Sequence, residues 1–79
     1  MKKFKITTEY ITLGQLLKAT DHIGSGGEAK FFLLNNNVFV NQERRTERGK
    51  KCYPGDIVTI GKNEYVISDD QKNNIKATS

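Results

Sequence analysis

Residues 25–41 read SGGEAKFFLLNNNVFVN, and within this segment the spacing of apolar side chains changes from a helical to a strand period. Ser25 and Glu28 have the spacing of a capping box, in which each side chain binds the other residue's backbone amide. The pattern therefore predicts a helix over residues 26–35. The positions that share its core-facing stripe are Ala29, Phe32 and Leu33.

Strands are predicted to follow this helix. The asparagines at 35–37 can end it, because asparagine tolerates the left-handed conformation that is common at helix C-termini. Residues 38–41 then alternate, with Val38 and Val40 on one face. Pro54 and Gly55 suit a type II turn. Further strands are predicted at residues 4–7, 57–60 and 65–67.

Another helix is predicted before the segment, over residues 13–20. Thr12 and Gln15 form a second possible capping box at its start. The leucines that mark its apolar face are Leu13, Leu16 and Leu17. Residues 21–24 interrupt the periodicity, so two short helices should meet at a glycine-rich corner before the chain turns to strands.

Size and composition narrow the class of protein. The chain has 79 residues, for which we expect one domain at 1–68 and a flexible tail at 69–79 that lacks periodicity. The longest apolar run, residues 31–34, is too short to span a bilayer, so we expect a cytoplasmic protein. One cysteine and one histidine cannot supply four soft ligands, which excludes most zinc sites, and no cofactor is expected. The formal charge of +4 favours an anionic partner.

Gly26 and Gly27 offer one way to bind an anion. Glycines at a helix start leave backbone amides open beside the positive end of the helix dipole, where a phosphate group can approach closely. The alternative, which is the more common role of such glycines, is that they only form a tight corner between helices.

Residues 41–53 carry most of the excess positive charge. Five cations minus the two carboxylates of Glu43 and Glu47 leave a net charge of +3. Flexible basic side chains in such a segment can reach successive phosphates. A solvated loop whose charges compensate one another is the alternative. The five cations are Arg44, Arg45, Arg48, Lys50 and Lys51.

No group of residues has the pattern of a catalytic site. His22 directly follows Asp21, and neighbours in sequence rarely face each other as a catalytic pair must. Cys52 lies beside Lys51, whose charge favours a thiolate, but a small buried side chain is the preferred interpretation. We therefore expect a protein that is not an enzyme.

Five short motifs follow one another along the chain. They are Leu16-Leu17-Lys18, Ser25-Gly26-Gly27-Glu28-Ala29-Lys30, Val38-Phe39-Val40-Asn41, Arg48-Gly49-Lys50-Lys51 and Pro54-Gly55-Asp56-Ile57-Val58. In this order they resemble the RNA-binding domain named after small-subunit ribosomal protein S4, the alpha-L motif, and within it the short bacterial YaaA-like proteins. The resemblance covers residues 10–60. Two positions depart from it: Gly26 stands where many members carry arginine, and Gln42 replaces the usual glycine after Val-Asn.

The resemblance implies an α+β fold in which two short helices form an L on a small, mostly antiparallel β-sheet. It further implies a monomer that binds structured RNA, ribosomal or transfer RNA, along the helical corner and a basic hairpin, in association with the ribosome. No aromatic stacking motif is recognisable, so we expect recognition of shape and phosphates. The RNA-binding residues at matching positions are Lys18, Ser25, Gly26, Gly27, Lys30, Asn41, Arg44, Arg45, Arg48, Lys50 and Lys51.

A protein-interaction adaptor is the competing hypothesis. The same basic surface would then contact an acidic protein, with Phe39 and Tyr53 as exposed anchors. The two hypotheses differ in one observable property, because an adaptor keeps its partner after nuclease digestion and an RNA-binding protein loses it.

Overall fold

The computed structural model describes residues 1–69, so the predicted tail lies outside the described residues apart from Asp69, which ends a strand. Two helices are present, α1 at Leu13–Ala19 and α2 at Ala29–Asn35, the second preceded by a 3₁₀ turn at Gly26–Glu28. At seven residues each, neither helix has the length to cross a membrane. The strands are β1 (Lys2–Ile6), β2 (Ile11–Thr12), β3 (Val38–Val40), β4 (Glu43–Arg44), β5 (Lys51–Cys52), β6 (Ile57–Ile60) and β7 (Asn63–Asp69).

Five strands form one sheet in the order β1-β7-β6-β3-β4, and β2 pairs separately with β5. β1 runs parallel to β7, whereas the other pairs in the described chain are antiparallel. Alternation along β3 and β6 buries Val38, Val40, Val58 and Ile60 on one face. The predicted α+β fold, with two helices and a mostly antiparallel sheet, is confirmed.

The hydrophobic core joins this sheet face to both helices. Leu16 and Leu17 of α1, Leu33 of α2, and Val38 and Val58 of the sheet are completely buried in one cluster. Complete burial of a leucine or valine side chain contributes roughly 1.5–3 kcal/mol. Contacts between elements that are distant in sequence therefore hold the two short helices, which would be marginal alone.

The capping box of α1 is confirmed, and the one predicted for α2 is wrong. Thr12 and Gln15 exchange hydrogen bonds of 2.9 and 3.2 Å between side chain and backbone. At the second site, residues 26–28 form a 3₁₀ turn in which the Glu28 amide donates to the Ser25 carbonyl. That amide is no longer available to the Ser25 hydroxyl. The Glu28 carboxylate instead accepts from the Gly24 amide at 2.7 Å.

The asparagines end α2 by a different mechanism from the predicted one. Asn36 is extended, with φ −132°, and residues 35–37 contain no positive φ. The side-chain amides of Asn35 and Asn36 instead donate to the carbonyls of Phe31 and Phe32, at 2.9 and 3.0 Å. They satisfy acceptors that the end of a helix leaves without an intrahelical partner.

Two consecutive left-handed residues occur in the turn between β3 and β4, and Asp21, which follows the end of α1, is also left-handed, with φ 65°. Asn41 has φ 53° and Gln42 φ 72°, and Val40 pairs with Glu43 across them. Positive φ at both central residues is the geometry of a tight type I′ hairpin turn. Because β4 pairs with β3 while β5 pairs with β2, the basic segment is not the single hairpin that was expected. It begins in one sheet and ends in the other.

Candidate nucleic-acid interface

The loop between β4 and β5, residues 45–50, is bound to the N-terminus of α1. The Leu13 amide donates to the Lys50 carbonyl at 2.8 Å, and the Gly14 amide donates to the Arg48 carbonyl at 2.9 Å. The first amides of a helix have no partner within the helix, so they are available for this purpose. The loop backbone is therefore fixed relative to the helices.

Gly14 is the point at which both helices and the loop meet. A Cβ at this position would lie 3.3 Å from the Arg48 carbonyl oxygen and 3.6 Å from the Cβ of Ala29. The absence of a side chain thus allows the loop to approach α1 closely. Sequence analysis missed this role. The available signal was a glycine inside a predicted helix, where it costs about 1 kcal/mol relative to alanine and calls for a packing reason.

A cleft of about 360 Å³ opens between α2 and this loop, and we call it the helix–loop cleft. Its lining residues are Gly27, Lys30, Phe31, Thr46 and Arg48. The glycine corner and the basic segment were identified separately in the sequence. In the folded chain they form the walls of one cavity.

Lys30 and Arg48 give the helix–loop cleft its positive charge. Both residues are exposed, and within residues 1–69 neither has a carboxylate at salt-bridge distance. One cation comes from the helix and the other from the loop. Two like charges that share a cleft repel each other, and an anion bound between them removes that repulsion.

Arg45 has a different environment from its basic neighbours. Its guanidinium donates hydrogen bonds from Nε and Nη2 to the carboxylate of Glu47 and from Nη1 to the carboxylate of Glu43, each at 3.1 Å. The hydrogen bonds with Glu47 are the main cause of a raised pKa for Arg45 and a lowered pKa for Glu47. Arg45 therefore braces the loop and neutralises the two glutamates that oppose the remaining cations.

Asn41 is also occupied within the protein. Its side-chain amide donates to Asp56 Oδ1 at 3.1 Å, and its side-chain oxygen accepts from the Ile57 amide at 2.9 Å. These bonds connect the β3–β4 turn to the start of β6. The side chain stabilises the turn that carries the first part of the basic segment.

The other predicted contacts lie outside the lining of the helix–loop cleft. Ser25 and Gly26 precede Gly27 directly, and Lys18 is exposed in the last turn of α1. In the basic segment, Arg44 and Lys51 are exposed and Lys50 is half-buried. Of these, Lys51 places its Nζ 4.9 Å from the ring centroid of Tyr10. The structure thus brings together three of the predicted residues, Gly27, Lys30 and Arg48, in one cavity.

Gly26 and Gly27 have no conformational need to be glycine. Neither has a positive φ. A Cβ at Gly26 would meet nothing within 4 Å, and one at Gly27 would meet only the Ser25 hydroxyl at 4.0 Å. The backbone angles therefore do not require glycine at these two positions, and the space in front of their Cα atoms is open.

Phe31 is a lining residue that sequence analysis did not identify. It is 67% exposed, whereas Phe32, its neighbour, is half-buried with its ring 5.7 Å from that of His22. Phe31 is two residues away from both Ala29 and Leu33, and this spacing places it on the opposite side of the helix from the core-facing stripe. That periodicity was the available signal for an exposed aromatic side chain at Phe31.

The two aromatic anchors of the adaptor hypothesis differ in exposure. Tyr53 is 43% exposed and packs against Tyr10, with ring centroids 5.7 Å apart. Phe39 is half-buried in β3. Only Tyr53 of the two presents a large surface to a partner.

Cys52 and His22 are the side chains that the sequence analysis considered for catalysis and metal binding. Cys52 is fully buried, and burial raises the pKa of its thiol to about 11, so a reactive thiolate is disfavoured. Burial, followed by the charge of Lys2, lowers the pKa of His22. No three His, Cys, Asp or Glu side chains among residues 1–69 are grouped as a metal ion requires.

Comparison with known proteins identifies the relatives of this chain. Residues 4–68 match the family model described as the S4 domain. A probable ribosome maturation protein, RlbA, from Bacillus subtilis (strain 168) is 56% identical over 55 residues. The alignment covers 70% of this chain and 78% of the relative.

Proposed function

The chain belongs to the S4 domain family, and from this premise we propose that it is a non-catalytic protein that binds structured RNA. The observation that carries the proposal is the helix–loop cleft, in which two cations from separate elements face one cavity and have no carboxylate within residues 1–69 at salt-bridge distance. A phosphate backbone supplies the regularly spaced anions that such an arrangement binds.

RNA phosphates are held in the helix–loop cleft by side chains from both walls. Lys30 and Arg48 each neutralise a phosphate, and Thr46, which also lines the cleft, adds a hydroxyl as a hydrogen-bond donor. On the same wall as Lys30, the missing side chain of Gly27 lets a phosphate approach the backbone. The contacts are electrostatic and independent of base sequence.

The anchored loop makes this binding less costly. A mobile basic loop would lose conformational entropy on binding, and immobilising each long side chain costs about 0.5–1.5 kcal/mol. Here the hydrogen bonds from Leu13 and Gly14 already fix the loop backbone before RNA arrives. Only the exposed ends of Lys30 and Arg48 remain to be ordered.

The remaining predicted residues contribute in two ways. Lys18, Arg44, Lys50 and Lys51, with Ser25 and Gly26, extend the surface beyond the cleft and contact further phosphates. Asn41 and Arg45 contribute indirectly, without contacting RNA. The side chain of Asn41 already binds Asp56 and Ile57, and that of Arg45 already binds Glu43 and Glu47. They set the shape of the loop that presents Arg48.

The name of the Bacillus subtilis relative favours one class of RNA. That protein is named as a probable ribosome maturation protein. We therefore propose ribosomal RNA rather than transfer RNA as the target, and a monomer that associates with ribosomes or their precursors in the cytoplasm. The exposed ring of Tyr53 supports the adaptor as a second candidate, in which an acidic protein covers the basic surface.

Ultraviolet crosslinking in cells tests the proposal against the adaptor. A tagged protein should recover ribosomal RNA, and the double variant Lys30→Ala/Arg48→Ala should lose it. Lys5→Ala/Lys62→Ala is the matched control, because it also removes two exposed positive charges and both lie outside the lining of the helix–loop cleft. If no RNA is recovered and a protein partner stays bound after nuclease treatment, the result would support the adaptor instead.

A further inference from the structure

Phe31 lies outside the hydrophobic core. It is 67% exposed on α2, whose core face is formed by the buried residues Ala29 and Leu33. Among the ring contacts of the described residues, which include the one between Phe32 and His22, none involves Phe31. A phenyl ring that is not part of the core cluster therefore lines the helix–loop cleft.

We infer that Phe31 is a stacking platform for one unpaired RNA base, whose neighbouring phosphates are held by Lys30 and Arg48. The inference rests on the proposed function and adds the class of RNA, which is structured RNA with a nucleotide turned out of its helix. Every base has an aromatic face, and aromatic side chains commonly stack on bases that are not paired.

The composition of the cleft fits a nucleotide better than an apolar protein segment. Phe31 lines the same cavity as Lys30 and Arg48, and no acidic residue among residues 1–69 lines it. A nucleotide has the matching pattern, an apolar base flanked by anionic phosphates. An apolar peptide would cover both cations without pairing them, which is unfavourable. The cavity volume of about 360 Å³ also lies within the roughly 300–1,000 Å³ of small-ligand sites.

Stacking changes the expected specificity of the protein. The sequence predicted recognition of shape and phosphates alone, which involves no contact with the face of a base. A stacking residue adds a preference for RNA that presents an extruded base. The preference is tolerant of base identity, because all four bases can stack on a phenyl ring.

A fluorescence experiment detects the stacked base directly. The chain contains no tryptophan, so Phe31→Trp places a single indole in the cleft. Leu34→Trp is the matched control, because Leu34 is 55% exposed one turn further along α2 and does not line the cleft. The probes are an RNA hairpin with one bulged adenosine and the same hairpin with an abasic sugar at the bulge. Only the bulged adenosine should quench the indole at position 31, and neither hairpin should quench the one at position 34.

Affinities of variants without a fluorophore complete the test. Phe31→Ala should weaken binding of the bulged hairpin about 5- to 150-fold, leave the abasic hairpin unchanged, and leave thermal melting unchanged. Phe31→Tyr should retain the affinity for the bulged hairpin, and Leu34→Ala should alter neither affinity.

The contradicting results separate the inference from the proposed function. Equal affinity of the wild type and Phe31→Ala for the bulged hairpin, while Lys30→Ala/Arg48→Ala still loses it, overturns stacking alone. Failure of the wild type to bind either hairpin at low salt overturns the proposed function, and the inference with it. A protein partner that survives nuclease treatment and is lost with both Phe31→Ala and Leu34→Ala assigns this surface to protein docking and overturns stacking.

Discussion

Replacing Gly27 by aspartate should move folding stability and RNA affinity in opposite directions. The new side chain has room, because a Cβ at this position meets only the Ser25 hydroxyl, at 4.0 Å. The carboxylate would lie near the positive end of the α2 dipole, which contributes about 0.3–1 kcal/mol. A pair with Lys30, three residues further on, adds roughly 0.2–0.5 kcal/mol. Gly27→Asp should therefore stabilise the folded state by about 0.5–1.5 kcal/mol in total.

The same carboxylate should weaken RNA binding. It occupies the helix–loop cleft, where it attracts the charges of Lys30 and Arg48 and repels phosphate. Like charges a few ångströms apart repel by about 1 kcal/mol even in bulk water, and by more near a protein surface. The affinity should thus fall by at least about fivefold. The stability gain corresponds to a rise in melting temperature of about 2–12 °C for a domain of this size.

Thermal melting by circular dichroism and titration of a fluorescent RNA hairpin measure the two effects. Both measurements should be made at low ionic strength, because salt screens the repulsion between exposed charges. Lys62→Ala serves as the control, since it lowers the net charge by the same one unit outside the cleft. A folded Gly27→Asp protein with wild-type RNA affinity would refute the assignment of phosphate binding to this cleft.

Four further predictions address the core, the loop, the turn and the thiol. Leu33→Ala should destabilise the fully buried core by about 2–5 kcal/mol in urea unfolding, and an unchanged midpoint would show that α2 is misoriented. Arg48→Ala should make the salt dependence of RNA binding shallower by about one unit without changing the melting temperature; a loss of stability would mean a structural role. Gln42→Gly should stabilise by about 0.5–1 kcal/mol, because the left-handed turn strains a side chain, and destabilisation would argue against a type I′ turn. Since burial raises the pKa of Cys52 from 9.0 to about 11, its contribution to stability should be full below pH 9 and be lost as the pH rises toward 11; a Cys52→Ala protein with the same alkaline loss would contradict this.

The elements that the sequence predicted best depend on contacts between near neighbours. Both partners of the capping box at α1, Thr12 and Gln15, lie within one turn, so their spacing is sufficient to predict the hydrogen bonds found. The leucine stripe of α1 and the alternation of Val38 and Val40 were likewise confirmed, because periodicity alone decides which face is buried.

The errors arose where several local arrangements compete. Ser25 and Glu28 match a capping box, but a 3₁₀ turn uses the Glu28 amide first. The left-handed conformation falls on Asn41 and Gln42 rather than on residues 35–37, because the hairpin between β3 and β4 imposes it. Gln42 gave no local indication of a positive φ, which glycine would have supplied.

The helix–loop cleft itself could not be predicted from the sequence. It depends on the hydrogen bonds from Leu13 and Gly14 to carbonyls of a loop that is distant along the chain. Those bonds bring Arg48 to the same cavity as Lys30. The sequence indicated residue types that suit phosphate binding, and the long-range pairing decided which of them lie together.

The decisive measurement is the salt dependence of RNA binding for the wild type and for Lys30→Ala/Arg48→Ala. If four to six phosphates are neutralised, the slope of log affinity against log salt should be about −3 to −5 for the wild type. Loss of two phosphate contacts should make the slope of the double variant shallower by about 1.4–1.8. Identical slopes for the two proteins, or a wild-type slope near zero, would contradict the binding of RNA phosphates by Lys30 and Arg48 in one cleft.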